Sequence, residues 1–148
     1  MSFEKAHDAM HGGHEHRDMV AKLRSAGLRP TRQRVALGEL LFAHGDRHLT
    51  AETLQEEAQA ANVRVSLATV YNTLHQFTEA GLLRQVSVDG ARTYFDTNIT
   101  DHHHYFLEED NHLIDVDGQI RIGEVPAPPE GMEIASIEVV VRCRRTQD

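Results

Sequence analysis

The sequence predicts an α+β chain in two parts. A helical front half closes on a β-hairpin in the layout of a winged helix-turn-helix, and a small α/β region built on an antiparallel hairpin follows. Three observations carry this. Apolar residues recur at helical spacing in four segments before Gly81, the period then changes to alternation in LLRQVSVDGARTYFD, and a second alternating stretch, HHHYFLEEDNHLID, encloses a four-residue turn sequence. A length of 148 residues fits one domain or two small ones on a shared chain.

The first helix spans Arg17 to Ala26, with Val20 and Leu23 apolar and Gly27 placed to end it. The second starts near Thr31, carries Val35, Leu37, Leu40 and Leu41, and closes at HGDRH. Thr50 caps a third, in which Leu54, Ala58 and Ala61 repeat at helical spacing before Asn62 ends it. The fourth, SLATVYNTLHQFTEAG, is capped by Ser66, buries Leu67, Val70, Leu74 and Phe77, and stops at Gly81. Asp89-Gly90 is then a strong hairpin turn. In a winged helix the segment from Ser66 enters the DNA major groove, and the hairpin holding Arg92 lies along the backbone. The competing layout is a plain helical bundle with an added hairpin.

Charge is unevenly placed. The net charge is −8, yet residues 1–96 hold 11 Lys/Arg against 12 Asp/Glu, whereas residues 97–148 hold 4 against 11. Lys22, Arg24, Arg29, Arg32 and Arg34 fall together with no carboxylate between them, as expected of a surface facing phosphates. The polar start MSFEKAHDAMHGGHEHRD is no signal sequence and no apolar run is long enough to cross a bilayer. A cytoplasmic chain without membrane partners is expected. The single cysteine, Cys143, excludes an internal disulfide and a multi-cysteine zinc site within one chain.

Three adjacent histidines, His102, His103 and His104, suit a core poorly, because each ring nitrogen needs a partner. If residues 108–111 form the turn, antiparallel pairing sets Leu107 opposite His112 and His104 opposite Asp115. His102 shares the face of His104, so His102, His104 and Asp115 converge as nitrogen and oxygen donors. His103 and Asp101 point to the other face. His7, His11, His14 and His16 make residues 1–16 a flexible histidine-rich tail.

AGLRPTRQRVALGELL, HLTAETLQEEA, VSLATVYNTLHQFTEAGLL and YFD followed by DHHHYF resemble the ferric uptake regulator (Fur) superfamily of bacterial metal-responsive transcription factors. The resemblance runs from about Val20 to Cys143, and DHHHYF with the missing cysteine pairs brings it nearest the iron response regulator (Irr) branch. It implies a winged-helix DNA-binding domain over 17–96 and a dimerisation and metal- or haem-sensing domain over 97–148. It further implies a homodimer on a palindromic double-stranded operator, repressing genes of iron and haem metabolism. In such proteins the position of Arg29 reaches the minor groove and that of Tyr71 contacts bases, with Arg32, Ser66, Thr69, Asn72 and Arg92 as further DNA candidates.

The resemblance supplies the same three donors and adds His48 and Asp96 as ligands of a regulatory metal. Two carboxylates and three neutral imidazoles suit Mn(II) or Fe(II), with Zn(II) a surrogate in vitro. One ion on both domains would set the angle between them. A second site at Asp101 and His103 is a candidate, although Ala135 stands where a histidine is common. The Irr branch implies haem as a further effector, with His102, His103 or His104 as axial ligand. Leu107 and Asp110 occupy the place of the family's first cysteine pair, so no structural zinc is expected. In IASIEVVVRCRR, alternation makes Cys143 a buried structural residue, and PAPPEG curtails the dimerisation helix.

Two other classes compete. DHH also opens the signature of a manganese phosphoesterase family, but that chemistry needs a larger sheet, and neither HExxH nor a nucleophile with a nearby base occurs. A metal-buffering protein explains the histidines and leaves the winged helix without a purpose. No enzyme is expected.

Overall fold

A computed structural model describes residues 15–89, 92–100 and 102–147. The chain divides into two compact units, Met1–Ile99 and Thr100–Asp148.

In the first unit, α1 covers residues 15–25, followed by α2 (Arg32–Phe42), β1 (His48–Leu49), α3 (Ala51–Ala60), α4 (Leu67–Glu79), β2 (Arg84–Asp89) and β3 (Arg92–Asp96). The caps are those the sequence predicts. Thr31, Thr50 and Ser66 each hold extended backbone, and their hydroxyls accept from the N–H groups of Arg34, Thr53 and Thr69, satisfying donors that the first turn leaves over. Asn62, with φ at 59°, and Gly81, with φ at 81°, reverse the chain after α3 and α4 in the left-handed region that ends helices.

α1 includes Glu15 and His16, and His16 Nδ1 lies 3.3 Å from the Glu39 carboxylate of α2. His16 is therefore helical, while His7, His11 and His14 lie outside the described residues. Ala61 does not continue the buried stripe of α3; it is the exposed C-cap.

Leu23, Leu37, Leu41, Leu54, Val70, Leu74, Phe77 and Phe95 form the fully buried centre of this unit. Each comes from an apolar stripe at helical spacing or from the inward side of a strand. The sheet order is β1-β3-β2. β2 and β3 form the expected hairpin, with a bulge between Ser87 and Asp89; Gly90 lies outside the described residues. β1 was not foreseen, because two residues display no period.

Arg47 fastens that short strand. Its guanidinium donates to both carboxylate oxygens of Glu57 at 2.9 Å. Its backbone N–H donates to Thr97 Oγ1 at 2.9 Å, and its carbonyl accepts from the Thr97 N–H at 3.0 Å.

The second unit contains β4 (His104–Leu107), β5 (His112–Asp115) and β6 (Val140–Cys143), in the order β5-β4-β6. The hairpin register is as the sequence predicts, His104 opposite Asp115 and Leu107 opposite His112. The turn reverses at Asn111, with φ at 48°. β6, however, joins β4 in parallel, so the sheet is mixed rather than antiparallel throughout. Parallel neighbours need a long crossover, which local alternation does not reveal.

Cys143 also departs from expectation, being half-buried rather than buried. The described residues of this unit include no helix, so no helix of its own covers the β6 face. Ile134 and Ile137 upstream remain 47% and 39% exposed. No helix of the described residues is long and apolar enough to cross a membrane.

Removing the ring of Phe77, fully buried in the first unit, leaves a cavity among Leu-rich neighbours. Phe77→Ala is expected to cost that unit about 3–5 kcal/mol in urea unfolding followed by circular dichroism. Asn72→Ala on the exposed side of the same helix should stay within about 0.5 kcal/mol of wild type.

Candidate functional site

The predicted metal donors fall into two sets, one in each unit. In the first, β1 pairs with β3 so that His48 stands opposite Asp96. His48 Nε2 lies 3.1 Å from Asp96 Oδ2. The other carboxylate oxygen, Oδ1, accepts the backbone N–H of Asn98 at 2.9 Å, which orients the group. Asp96 is fully buried, and a buried carboxylate is tolerated only with donors or a cation.

In the second set, His102 Nε2 lies 3.2 Å and His104 Nε2 3.4 Å from the same atom, Asp115 Oδ1. The two rings meet edge to face with centroids 4.5 Å apart, and His104 is fully buried. The Thr100 carbonyl touches His102 Nδ1 at 2.5 Å. A carbonyl only accepts, so Nδ1 carries a proton, and in the neutral ring Nε2 turns its lone pair toward Asp115. A second lone pair on the carboxylate faces it, and a cation or a proton between them resolves the repulsion. An imidazole whose far N–H is tied to a backbone carbonyl is a usual arrangement for a metal ligand. The donor chemistry of both sets thus fits a hard to borderline divalent ion.

His103 is bound differently. Its Nδ1 accepts the Val139 N–H at 3.0 Å, so in the neutral ring the proton sits on Nε2 and no lone pair remains for an ion. Asp101, its proposed companion, lies outside the described residues.

The DNA candidates all lie in the first unit. Arg29 and Arg32 are exposed at the entrance to α2, Asn72 is exposed on α4, and Arg92 is half-buried at the start of β3. Ser66 and Thr69 close the N-terminus of α4 on each other: Ser66 Oγ donates to Thr69 Oγ1 at 2.9 Å and accepts the Thr69 N–H at 3.1 Å. Tyr71 leans its ring on the core and donates its hydroxyl to Glu52 of α3 at 2.9 Å.

Arg34 belongs to the basic run but turns inward. Its Nε and Nη2 donate to Gln76 of α4 at 3.2 and 3.0 Å, and its Nη1 to the Arg29 carbonyl at 2.9 Å. No local pattern marks the bracing residues Glu52, Gln76, Arg47 and Glu57, since their partners lie up to 50 residues away.

Residues 25–142 match the ferric uptake regulator family. The chain belongs to that family. Transcriptional regulator FurA of Mycobacterium tuberculosis (strain H37Rv) is 36% identical over 109 residues, 74% of this chain and 72% of that one. The peroxide-responsive repressor PerR of Staphylococcus aureus (strain NCTC 8325) is 30% identical over 102 residues, 69% and 68% of the two chains. Among solved structures, the ferric uptake regulator of Pseudomonas aeruginosa with manganese superposes with a TM-score of 0.65 at 26% identity, covering 86% of this chain and 97% of that one. The Vibrio cholerae regulator shares the fold, with a TM-score of 0.67 at 19% identity over 85% and 98% of the chains. As a ferric uptake regulator family member, the chain is a metal-responsive transcriptional regulator, not an enzyme, and family members bind DNA and act as dimers.

The hydrogen bond to Glu52, then burial and the Glu52 charge, raise the Tyr71 phenol above its ordinary range. Its contribution to folding is therefore complete below the ordinary phenol pKa of about 10 and is lost as pH rises through the higher folded value. Ultraviolet difference titration should show Tyr71 ionising late, and Glu52→Ala, which removes both the acceptor and the charge, should bring it back toward about 10. Unchanged titration in that variant would disprove the brace.

Proposed function

We propose that this chain is an iron-responsive repressor of iron and haem metabolism genes, of the iron response regulator branch, with residues 17–96 binding DNA and residues 97–148 dimerising and sensing. The observation that carries the metal reading is the pair of donor sets, His48 with Asp96 and His102 and His104 on Asp115. His48, Asp96, His102, His104 and Asp115 hold one Mn(II) or Fe(II), whose charge balances two carboxylates. Because the five donors come from both units, their shared ion sets the angle at which a homodimer presents two copies of α4 to a palindromic operator with half-sites about one helical turn apart. An effector acts on that angle only through its differential affinity for the two states.

Replacing His48 or Asp96 by Ala should weaken Mn(II) binding at least about tenfold, taking the cost of disturbing a supporting group as the floor, and leave the dimer intact. Calorimetry and sedimentation read the two quantities separately. Equal Mn(II) affinity in wild type and both variants would remove these residues from the site.

The haem arm rests on the triple histidine run and the DHHHYF resemblance. His102 and His104 are its candidates; His103, with Nδ1 accepting from Val139, is the least able to ligate. A nitrogen lone pair serves one iron at a time, so haem capture by His102 or His104 takes donors from the metal and releases DNA. Haem titrated into the Mn(II)-loaded, DNA-bound protein should displace manganese and DNA together, and His102→Ala should diminish the Soret change more than His103→Ala. Haem bound with manganese and DNA both retained would overturn the shared-ligand mechanism.

A further inference from the structure

Arg32, a DNA candidate without an assigned contact, shares one groove with Arg64, which none of the readings above uses. A cavity of about 460 Å³ is lined by Arg32, Gln33 and Ala36 of α2 and by Asn62, Val63 and Arg64 of the turn between α3 and α4. No carboxylate lines it. Both arginines are exposed, and among the described residues neither guanidinium has an ion-pair or hydrogen-bond partner, in contrast to Arg34 and Arg47, which are braced to Gln76 and Glu57.

The two walls are rigid. The Val63 N–H donates to the Ala58 carbonyl at 2.8 Å and its side chain packs on the core, which fixes the backbone beside Arg64. Arg32 opens α2 directly after the Thr31 cap. Arg64 stands two positions before Ser66, which caps α4, so the groove leads to the start of the helix assigned to base reading.

We infer that this groove is a sequence-independent seat for the DNA sugar-phosphate backbone, with the Arg32 and Arg64 guanidinium groups on phosphodiester oxygens. The planar fork of arginine matches phosphate geometry, Gln33 and Asn62 add amide donors, and Ala36 and Val63 supply apolar surface for the deoxyribose between successive phosphates. A positive groove without carboxylates selects a polyanion by charge rather than by base. This inference rests on the DNA-binding reading above and adds to it a positioning surface separate from Tyr71.

The experiment measures binding of the full-length, Mn(II)-loaded protein by fluorescence anisotropy across a salt series. One duplex is obtained by selection on the wild-type protein from a random library, and a second duplex has unselected sequence. Arg64→Ala and Arg32→Ala should each weaken both duplexes by the same factor and reduce the slope of log affinity against log salt by about 0.9 per phosphate contact. Arg64→Lys should recover most of the slope. Tyr71→Ala should instead lower the ratio between the selected and unselected duplexes.

An unchanged slope in the Arg64→Ala and Arg32→Ala proteins, with wild-type binding intact, would overturn the groove assignment alone. Loss confined to the selected duplex would make these residues base readers and overturn it as well. Inorganic phosphate bound by wild type and lost in Arg64→Ala, with the duplex slope unchanged, would give the groove to a small anion. Failure of the wild type to enrich any duplex would bring down the DNA-binding reading itself.

Discussion

A carboxylate buried at the end of β3 governs how the candidate metal donors of the first unit are placed. Asp96 has no exposure to solvent, and a charge there persists only if the surrounding chain supplies partners. The Asn98 backbone N–H donates to one oxygen, His48 Nε2 stands 3.1 Å from the other, and His48 reaches its position only because β1 pairs in register with β3. Arg47, joined to Glu57 and Thr97, holds that register from the neighbouring residue. A two-residue strand has little stability of its own, so the side-chain anchors decide where His48 stands.

In the second unit the buried donor is an imidazole, His104, and the carboxylate it meets, Asp115, is open to solvent. Opposition of His104 and Asp115, with His102 two residues earlier on the strand's own face, directs two imidazoles at one carboxylate oxygen. The Thr100 carbonyl chooses the His102 tautomer, and the Val139 amide chooses the opposite tautomer for His103. Adjacent histidines of identical chemistry thereby acquire different capacities to bind an ion, and the difference comes from backbone groups.

The helical part is braced for presentation of α4. Tyr71 to Glu52 ties α4 to α3, and Arg34 ties α4 to α2 and to the Arg29 carbonyl. Polar groups that a composition count assigns to a solvated basic surface are spent on interhelical geometry. Arg32 and Arg64 remain outward, which separates the arginine that braces α2 against α4 from those able to meet an anion.

Much of this was legible in the sequence because it depends on local physics. Helical apolar spacing located four helices, Thr31, Thr50 and Ser66 located three starts, and period-two alternation with a four-residue turn placed His104 opposite Asp115 before any coordinates. Motif resemblance named the family and pointed to His48 and Asp96. Tertiary structure decided the rest, since each remaining feature joins residues remote in sequence. β1 is too short to show a period, β6 reaches β4 through a parallel crossover, and Cys143 is half-buried where alternation promised burial, because alternation tells which side chains share a face but not whether another layer covers it. The inward turn of Arg34 and the proton on His103 Nε2 follow from partners, Gln76 and Val139, that only the folded chain brings within hydrogen-bonding distance.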